Sequence, residues 1–301
     1  MRTYSIAAAT WVFAAVVASA ATLHVPLEYP TIQAAVDTAA VSDTVLVAPG
    51  TYGGSGNTDL RFWGKDIALV SSSGPAVTTI DCGGQSRAFK LWDGESRDAI
   101  IDGFTILNGY ADGGGGGASL AGSSPTVRSC VFSGCLVVGE FNGQYWPAFG
   151  GAVYVTFGGD PLFISCSFVG NEILGEPSYG TDVTIYNSAV AFQQCLFAYG
   201  TDDGELFGDA LGVDSGGANF TIDRCLFTDT ASYPGQVHVA DPGLCDWYAG
   251  SQTGFELCSD SPALPEHNEW GVLVGALGAG CGPCVTAVEH TSWGEVKAMF
   301  R

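Results

Sequence analysis

The segments Phe163-Ile-Ser-Cys-Ser-Phe168 and Phe192-Gln-Gln-Cys-Leu-Phe197 decide the fold of this chain, because they belong to one repeat. Three further segments share the pattern: Ile101-Asp-Gly-Phe-Thr-Ile106, Val127-Arg-Ser-Cys-Val-Phe132 and Ile222-Asp-Arg-Cys-Leu-Phe227. The fourth position recurs at spacings of 26, 36, 29 and 30 residues. Such a period is typical of a solenoid, in which each repeat buries its apolar face against its neighbours.

The parity of the apolar positions predicts how each repeat folds. Positions four and six are two residues apart, so both side chains lie on the same face of a strand. Position one lies three residues before position four, an odd offset that a straight strand cannot place on that face. A corner between two short strands resolves the conflict. A second strand-like pattern precedes the later members, at 117–120, 151–155, 182–186 and 209–213.

Coils of about 30 residues, stacked at the ~4.8 Å strand spacing, form an all-β solenoid, the single-stranded parallel β-helix. The stacking predicts an inward cysteine ladder (Cys130, Cys166, Cys195 and Cys225) beside a phenylalanine ladder. These cysteines are expected to be buried thiols, because parallel Cβ vectors oppose the ~90° torsion of a disulfide. A β-propeller would need about four antiparallel strands and their hairpins in each repeat, so it is disfavoured.

The first 20 residues have the features of a secretory signal peptide. Arg2 precedes the apolar run Ile6–Val17, and Ala18-Ser-Ala20 is an A-x-A cleavage motif. The run is short for a bilayer span and ends in small residues. We therefore expect a chain that is secreted or displayed at the cell surface, with no membrane span after cleavage.

The remaining chain divides into four predicted segments. Residues 21–43 form an N-terminal cap, in which the helical spacing of apolar residues over Thr31–Ala40 indicates a short helix covering the end of the coils. Residues 44–240 form the β-helix. Residues 241–284 are an irregular closure that contains cysteines, and residues 285–301 are a tail with a capping box and a short helix.

The charge balance restricts the partners of this protein. The chain has 31 acidic and 10 basic residues and a net charge of −21, yet 47% of its residues are hydrophobic. The apolar content is high enough to build a core. The negative field repels nucleic acid and anionic membranes, and it disfavours polyanionic sugars. We therefore expect no nucleic-acid partner.

The entry segment Tyr29-Pro-Thr-Ile-Gln-Ala-Ala-Val36, the following Val45–Tyr52 and the repeated C-x-F coils resemble the pectin-lyase-like superfamily of right-handed parallel β-helices. The C-terminal segment resembles the closure of bacterial secreted β-helix-repeat proteins. The resemblance covers most of residues 24–281. It implies the fold and not an activity, since the superfamily includes lyases, hydrolases and many surface proteins without an assigned reaction.

No catalytic residues can be assigned from the motifs of the active members. Asn57-Thr-Asp59 and Asp202-Asp203 are similar to polygalacturonase motifs, but they lie several coils apart, and no His-Gly or Arg-x-Lys motif accompanies them. The sequence therefore favours a non-catalytic protein. A polysaccharide lyase or glycoside hydrolase acting on an extracellular polymer is the alternative.

Asp202, Asp203 and Glu205 belong to the densest acidic cluster, on a turn after the Cys195 coil. Their oxygens are suitable calcium ligands, which makes this turn a candidate calcium site. The alternative is a solvated acidic turn. No other cofactor is expected.

Four cysteines lie beyond the coils. Cys281-Gly-Pro-Cys284 has the residues of a thioredoxin redox motif but lacks the strand-to-helix context that such chemistry needs. In a secreted chain it predicts a local structural disulfide, and Cys245 and Cys258 suggest a second one.

Aromatic residues outside the ladders give the best indication of binding. Phe141, Tyr145 and Trp146 lie in the insertion 136–149 that lengthens its coil to 36 residues, and Trp92 lies at a strand edge. Long loops on rigid scaffolds often carry function, and aromatic faces can stack on sugar rings. These four residues are therefore predicted to bind an extracellular polysaccharide or another cell-surface component; the alternative is that they pack against the coil wall.

Overall fold

The computed structural model describes residues 19–283, except 142–143, 146, 176, 203–204, 207–208, 214–217, 230, 232 and 246–254. Only the backbone is described for residues 140, 141, 144, 145, 205 and 206. The predicted signal peptide lies almost entirely outside these residues, and the helix of the C-terminal tail lies wholly outside them.

Four sheets run along the coil stack and are named here in the order in which a coil visits them. Sheet 1 consists of β1 Thr22–Val25, β2 Thr44–Val47, β4 Ala68–Ser71, β7 Ile100–Asp102, β11 Thr126–Arg128, β18 Leu162–Ile164, β23 Ala189–Gln193 and β28 Asn219–Asp223. Sheet 2 consists of β3 Gly50–Gly53, β5 Thr78–Asp81, β8 Thr105–Leu107, β12 Val131–Ser133, β19 Ser167–Val169, β24 Leu196–Ala198, β29 Cys225–Phe227 and β30 Val237–Val239.

The other two large sheets are shorter. Sheet 3 consists of β9 Tyr110–Asp112, β13 Leu136–Val138, β20 Glu172–Leu174, β25 Thr201–Asp202 and β26 Glu205–Leu206. Sheet 4 consists of β6 Phe89–Leu91, β10 Ala118–Ala121, β17 Val153–Thr156, β22 Val183–Ile185 and β27 Leu211–Val213. Every pairing within the four sheets is parallel, except that β26 runs antiparallel to β25.

Three two-stranded pairs complete the described part of the chain. They are β14 Glu140–Phe141 with β15 Gln144–Tyr145, β16 Ala148–Phe149 with β21 Ser178–Tyr179, and β31 Leu257–Cys258 with β32 Ala279–Cys281. The first two pairs lie in the loops that connect sheet 3 to sheet 4.

The strand register confirms the predicted β-helix. Val127 pairs with Ile101 on one side and Phe163 on the other, and Phe163 pairs in turn with Phe192. Equivalent positions of successive repeats therefore lie side by side. The coils that begin at β6, β10, β17 and β22 contain strands of sheets 4, 1, 2 and 3, so they have one strand more than the patterns predict. The short strands of sheet 3 carry no repeated signature.

The predicted corner lies at position three of each repeat. Ser129, Ser165, Gln194 and Arg224 have φ angles of 49°, 48°, 55° and 55°, and Gly103 has φ 81°. A left-handed residue turns the chain sharply between sheet 1 and sheet 2, which brings positions one, four and six to the same interior. The four non-glycine residues accept the strain of this conformation because the paired strands on both sides fix it.

Both predicted ladders are present in the core. The four ladder cysteines are buried free thiols, and burial raises the pKa of the Cys130 thiol to about 12. The rings of Phe132, Phe168, Phe197 and Phe227 stack nearly parallel, with successive centroids 5.2, 4.8 and 4.5 Å apart. Aromatic stacking thus follows the coil spacing through the interior.

A short helix caps the N-terminal end, as predicted. Helix α1 spans Ile32–Thr38, and the Thr31 side chain accepts a hydrogen bond from the Ala34 N–H. Ile32, Ala35 and Val36 are buried in the core of the coils. Strand β1 precedes the helix and pairs with β2, so sheet 1 begins within the segment that the sequence assigns to the cap.

The segment after the last coil packs along the side of the stack; its described residues, 241–245 and 255–283, are called the strap here. Its apolar residues include Leu244, Leu257, Leu264 and Val274, which pack with the outer face of sheet 2. The sheet contributes the outward side chains of Val131, Val169, Leu196 and Leu226 to this cluster. Two hydrogen bonds fix the strap: Gly275 N–H to Gln194 O at 2.7 Å, and Ala276 N–H to Ser167 Oγ at 2.9 Å.

Candidate functional site

The predicted binding residues are only partly within the described structure. Trp92 directly follows β6 on sheet 4 and is 43% exposed. Phe141 and Tyr145 lie in the β14–β15 hairpin, of which the backbone alone is described. Trp146 lies outside the described residues. Trp92 therefore locates the candidate site on the outer side of sheet 4.

The register of sheet 4 aligns two outward rows along the coil axis. Lys90 pairs with Ser119, Ser119 with Tyr154 and Tyr154 with Thr184. Side chains alternate along each strand, so Trp92 and Tyr186, two residues after Lys90 and Thr184, lie on this outward side. An isolated bridge from Leu60 to Phe89 adds one more chain segment to the sheet.

Two tryptophans form the N-terminal end of this surface. Trp63 is 50% exposed, and its indole N–H donates to Asp37 Oδ1 at 2.9 Å. The guanidinium carbon of Arg61 lies 4.2 Å from the Trp63 ring centroid, and Arg61 pairs with Asp93 at 3.0 Å. A hydrogen bond and a cation–π contact thus fix the orientation of a ring that solvent still reaches.

Trp92 is held in the same way on the next coil. Its indole N–H donates to Ser119 Oγ at 3.1 Å, and the Lys90 ammonium lies 4.3 Å from the ring centroid. No carboxylate lies within ion-pair distance of Lys90 among the described residues. Lys90 therefore covers one side of the indole and keeps its own charge at the surface.

A second aromatic group lies further along the same wall. The Phe149 ring stacks on Tyr154 with centroids 5.1 Å apart and on Tyr179 with centroids 5.3 Å apart. Tyr186 meets the edge of Phe149 at 6.5 Å and is 39% exposed. The β16–β21 pair carries Phe149 and Tyr179. The small residues Ser119 and Ala121 separate this group from the tryptophans.

We call this surface the aromatic face, defined by Trp63, Trp92, Phe149, Tyr154, Tyr179 and Tyr186. It spans four coil steps from Trp63 to Tyr186, roughly 19 Å at ~4.8 Å a step. The repeat pattern gives no signal for it, because the six rings come from four coils, at positions that the repeat leaves variable. Trp63, Trp92 and Tyr186 are all exposed, so this part of the wall is an open surface.

The acidic turn is also only partly described. The Asp202 Oδ2 atom accepts a hydrogen bond from Ser178 Oγ at 2.6 Å, while Oδ1 is buried and has no hydrogen-bond partner among the described residues. The antiparallel pairing of β25 with β26 places Asp202 opposite Glu205. Asp203 lies outside the described residues. An orphaned carboxylate oxygen is compatible with a calcium ligand, and the site stays a prediction.

The disulfide pairings predicted from the sequence are wrong. Cys245 is bonded to Cys281, and Cys258 is disulfide-bonded as well; Cys284 lies outside the described residues. The sulfur atoms of Cys245, Cys258 and Cys281 all lie within 4.8 Å of one another. The β31–β32 pairing aligns Cys258 with Cys281, and a bridge from Leu244 to Leu257 brings Cys245 to the same place. Pairing between segments therefore overrides closeness in sequence.

Comparison with known proteins identifies the class. The family model of the right-handed β-helix region matches residues 70–259, and this chain belongs to that family. Searches of curated proteins and of solved structures returned no significant match. Within the described residues, no helix has the length and apolar character needed to cross a membrane.

Proposed function

We propose that this protein is a non-catalytic, secreted or cell-surface β-helix that binds an extracellular polysaccharide through the aromatic face. The observation that carries the proposal is the row of partly exposed aromatic rings along one wall. Aromatic faces stack well on the apolar C–H faces of sugar rings. The rings are already fixed by stacking, hydrogen bonds and cations, so binding would cost little side-chain entropy.

The shape and charge of the protein favour an uncharged, extended glycan. An open wall about four coils long can accommodate several sugar units side by side along the coil axis. A net charge of −21 opposes a polyanion such as a polyuronate. The disulfide between Cys245 and Cys281 suits an oxidising compartment, which supports an extracellular location.

The calcium site belongs to the proposal as an optional component. The buried Oδ1 of Asp202, with Glu205 opposite, would contribute to the ion's oxygen shell. The aromatic face contains no part of this site, so glycan binding would not require the ion.

A binding assay on insoluble polymers tests the proposal. The mature chain is incubated with cellulose, chitin and polygalacturonate gel, and the bound fraction and released reducing ends are measured. We expect retention on a neutral polymer, loss of retention in Trp63→Ala/Trp92→Ala, and no release of reducing ends. Tyr110→Ala, on sheet 3, is the matched control and should bind like the wild type.

Three outcomes would overturn the proposal. Release of reducing ends would favour the lyase or hydrolase alternative. Retention on polygalacturonate alone would contradict the charge argument. Unchanged binding by the double tryptophan variant would remove the aromatic face as the site.

A further inference from the structure

A buried acid lies inside the coil stack behind the aromatic face. Asp182 is 1% exposed, and its Oδ1 accepts a hydrogen bond from Asn171 Nδ2 at 2.8 Å. Asn171 is itself fixed, because Nδ2 also donates to Phe132 O and Oδ1 accepts from Cys135 N–H. Among the described residues, the Asn171 amide is the one hydrogen-bond donor that contacts the Asp182 carboxyl. One donor is too little to solvate a carboxylate in the interior.

The titratable groups around Asp182 would all oppose its negative charge. Asp229 is 3% exposed, lines the same small void and carries its own hydrogen bonds from Ala210 N–H and the Tyr233 hydroxyl. The Cys135 thiol is close enough for the Asp182 charge to raise the thiol's pKa. Among the described residues, no basic side chain is near enough to affect the Asp182 carboxyl. The void between the two carboxyls is too small to hold a water molecule.

Burial therefore keeps the Asp182 carboxyl protonated, and hence neutral, over a wide range of pH. Desolvation raises its pKa to about 8, the Asn171 hydrogen bond opposes this increase, and the nearby Asp229 charge adds to it. Ionisation would leave a charge without solvent beside a second carboxylate, and the surrounding coils would have to open to admit water.

The backbone of Asp182 links three successive coils behind the aromatic face. Its N–H donates to Ala210 O, and its carbonyl accepts from the N–H groups of Ala152 and Val153. Val153 directly precedes Tyr154. Three residues before Asp182, the Tyr179 carbonyl accepts from Gly150 N–H and from the Thr184 hydroxyl. A movement of Asp182 would therefore displace the residues that carry the Tyr179, Phe149 and Tyr154 stack.

We propose that Asp182 is a pH-sensitive latch: while protonated it keeps the aromatic face ordered, and when ionised it loosens the Phe149, Tyr154 and Tyr179 stack. The latch concerns the order of the rings and holds whether or not they bind a glycan. The stabilisation is fully present below the ordinary aspartate pKa of ~3.9. The stabilisation is lost progressively as the pH rises to about 8. In this range Asp182 is already ionised in the unfolded chain but still protonated in the folded one, so each increase in pH favours unfolding.

Spectroscopy across this range tests the latch. The near-ultraviolet circular dichroism of the tyrosines and the melting temperature are recorded between about pH 5 and 9, below ordinary tyrosine ionisation. The wild type should show a transition centred at about 8. Its melting temperature should fall by an amount on the order of 10 °C between about pH 5 and 8. Asp98→Asn, at an exposed acid, should retain both changes.

Asp182→Asn should abolish the spectral transition and flatten the melting profile, because the amide retains the shape and cannot ionise. A transition of equal size in Asp182→Asn would assign it to another group and overturn the proposal. A wild type without any transition in this range would overturn it as well. Glycan retention at about pH 6 and 9 gives a separate measurement: failure to bind at both values rejects the proposed function and leaves the spectral test unaffected.

Discussion

The outer walls of sheets 2 and 4 belong to the same coils, but the first is covered by another segment of the chain and the second is open to solvent. Sheet 2 presents aliphatic side chains such as Val169 and Leu196, and the strap covers them completely. Sheet 4 presents Trp63, Trp92 and Tyr186, and these rings are partly open to solvent. Aliphatic groups have no polar part, so they gain only from being buried. A tryptophan or tyrosine can stack on a ligand and still satisfy its N–H or O–H, so its exposure costs less.

The largest effect is expected where the strap is covalently closed. Replacing both Cys245 and Cys281 with Ser removes a cross-link across 36 residues. We expect the free energy of unfolding to fall by about 3–4 kcal/mol, measured by chemical denaturation. A dye that binds apolar surface should also report the uncovered wall of sheet 2. Unchanged stability together with unchanged dye binding would show that the strap does not depend on its disulfide.

A smaller loss is expected from the apolar contacts of the strap. Leu257 is 1% exposed within the cluster on sheet 2, so Leu257→Ala should destabilise the protein by about 2–4 kcal/mol. Leu27 is 83% exposed, and Leu27→Ala should change stability by less than about 0.5 kcal/mol. Equal effects of the two substitutions would contradict the packing of the strap on sheet 2.

For the aromatic face we expect the opposite balance: substitutions should cost little stability and much binding. Trp92→Ala removes the contact with Lys90 and one hydrogen bond at a surface ring, which should cost about 1 kcal/mol or less of stability. The same change should weaken retention on a neutral polymer by about tenfold. Binding isotherms and denaturation curves measured on one preparation test the expected changes in binding and in stability. A large loss of stability with intact binding would make the ring a structural element.

An effect of similar size is expected from calcium. Calcium at about ten times its dissociation constant should stabilise the wild type by about 1.4 kcal/mol, an increase in melting temperature of about 3–5 °C. Asp202→Asn removes a carboxylate charge from the acidic turn and should lose this increase, whereas Asp98→Asn should keep it. An equal calcium response in both variants would place the ion elsewhere.

The sequence predicts the interior of this protein better than its surface. The ladders and the corner follow from residues that recur at fixed positions, and the capping helix follows from the helical spacing of apolar residues in Thr31–Ala40. The structure confirms all three. The strands of sheet 3 were not predicted, because short outer strands such as Glu172–Leu174 have few inward positions and share no signature. The sequence repeat reveals only those positions whose side chains are buried in every coil.

The aromatic face and the strap depend on pairings between distant segments. Lys90 and Tyr154 lie in register only after loops of unequal length have been accommodated, so their alignment cannot be counted from spacing. The same reason explains the error in the cysteine pairing. Cys258 and Cys281 align through β31 and β32, which are too short to be recognised in the sequence.

The left-handed corner has a practical consequence for protein engineering. Ser129, Ser165, Gln194 and Arg224 share a backbone conformation and little else, so the corner dictates geometry and leaves the side chain almost unconstrained. Successive corners repeat at the ~4.8 Å coil step. The chain thus provides a column of evenly spaced attachment points. Charges, metal-binding groups or fluorophores could be placed on them at the spacing of one coil step. Glycine at any of them would relieve the left-handed strain by about 1 kcal/mol, which would offset part of the cost of modifying its neighbours.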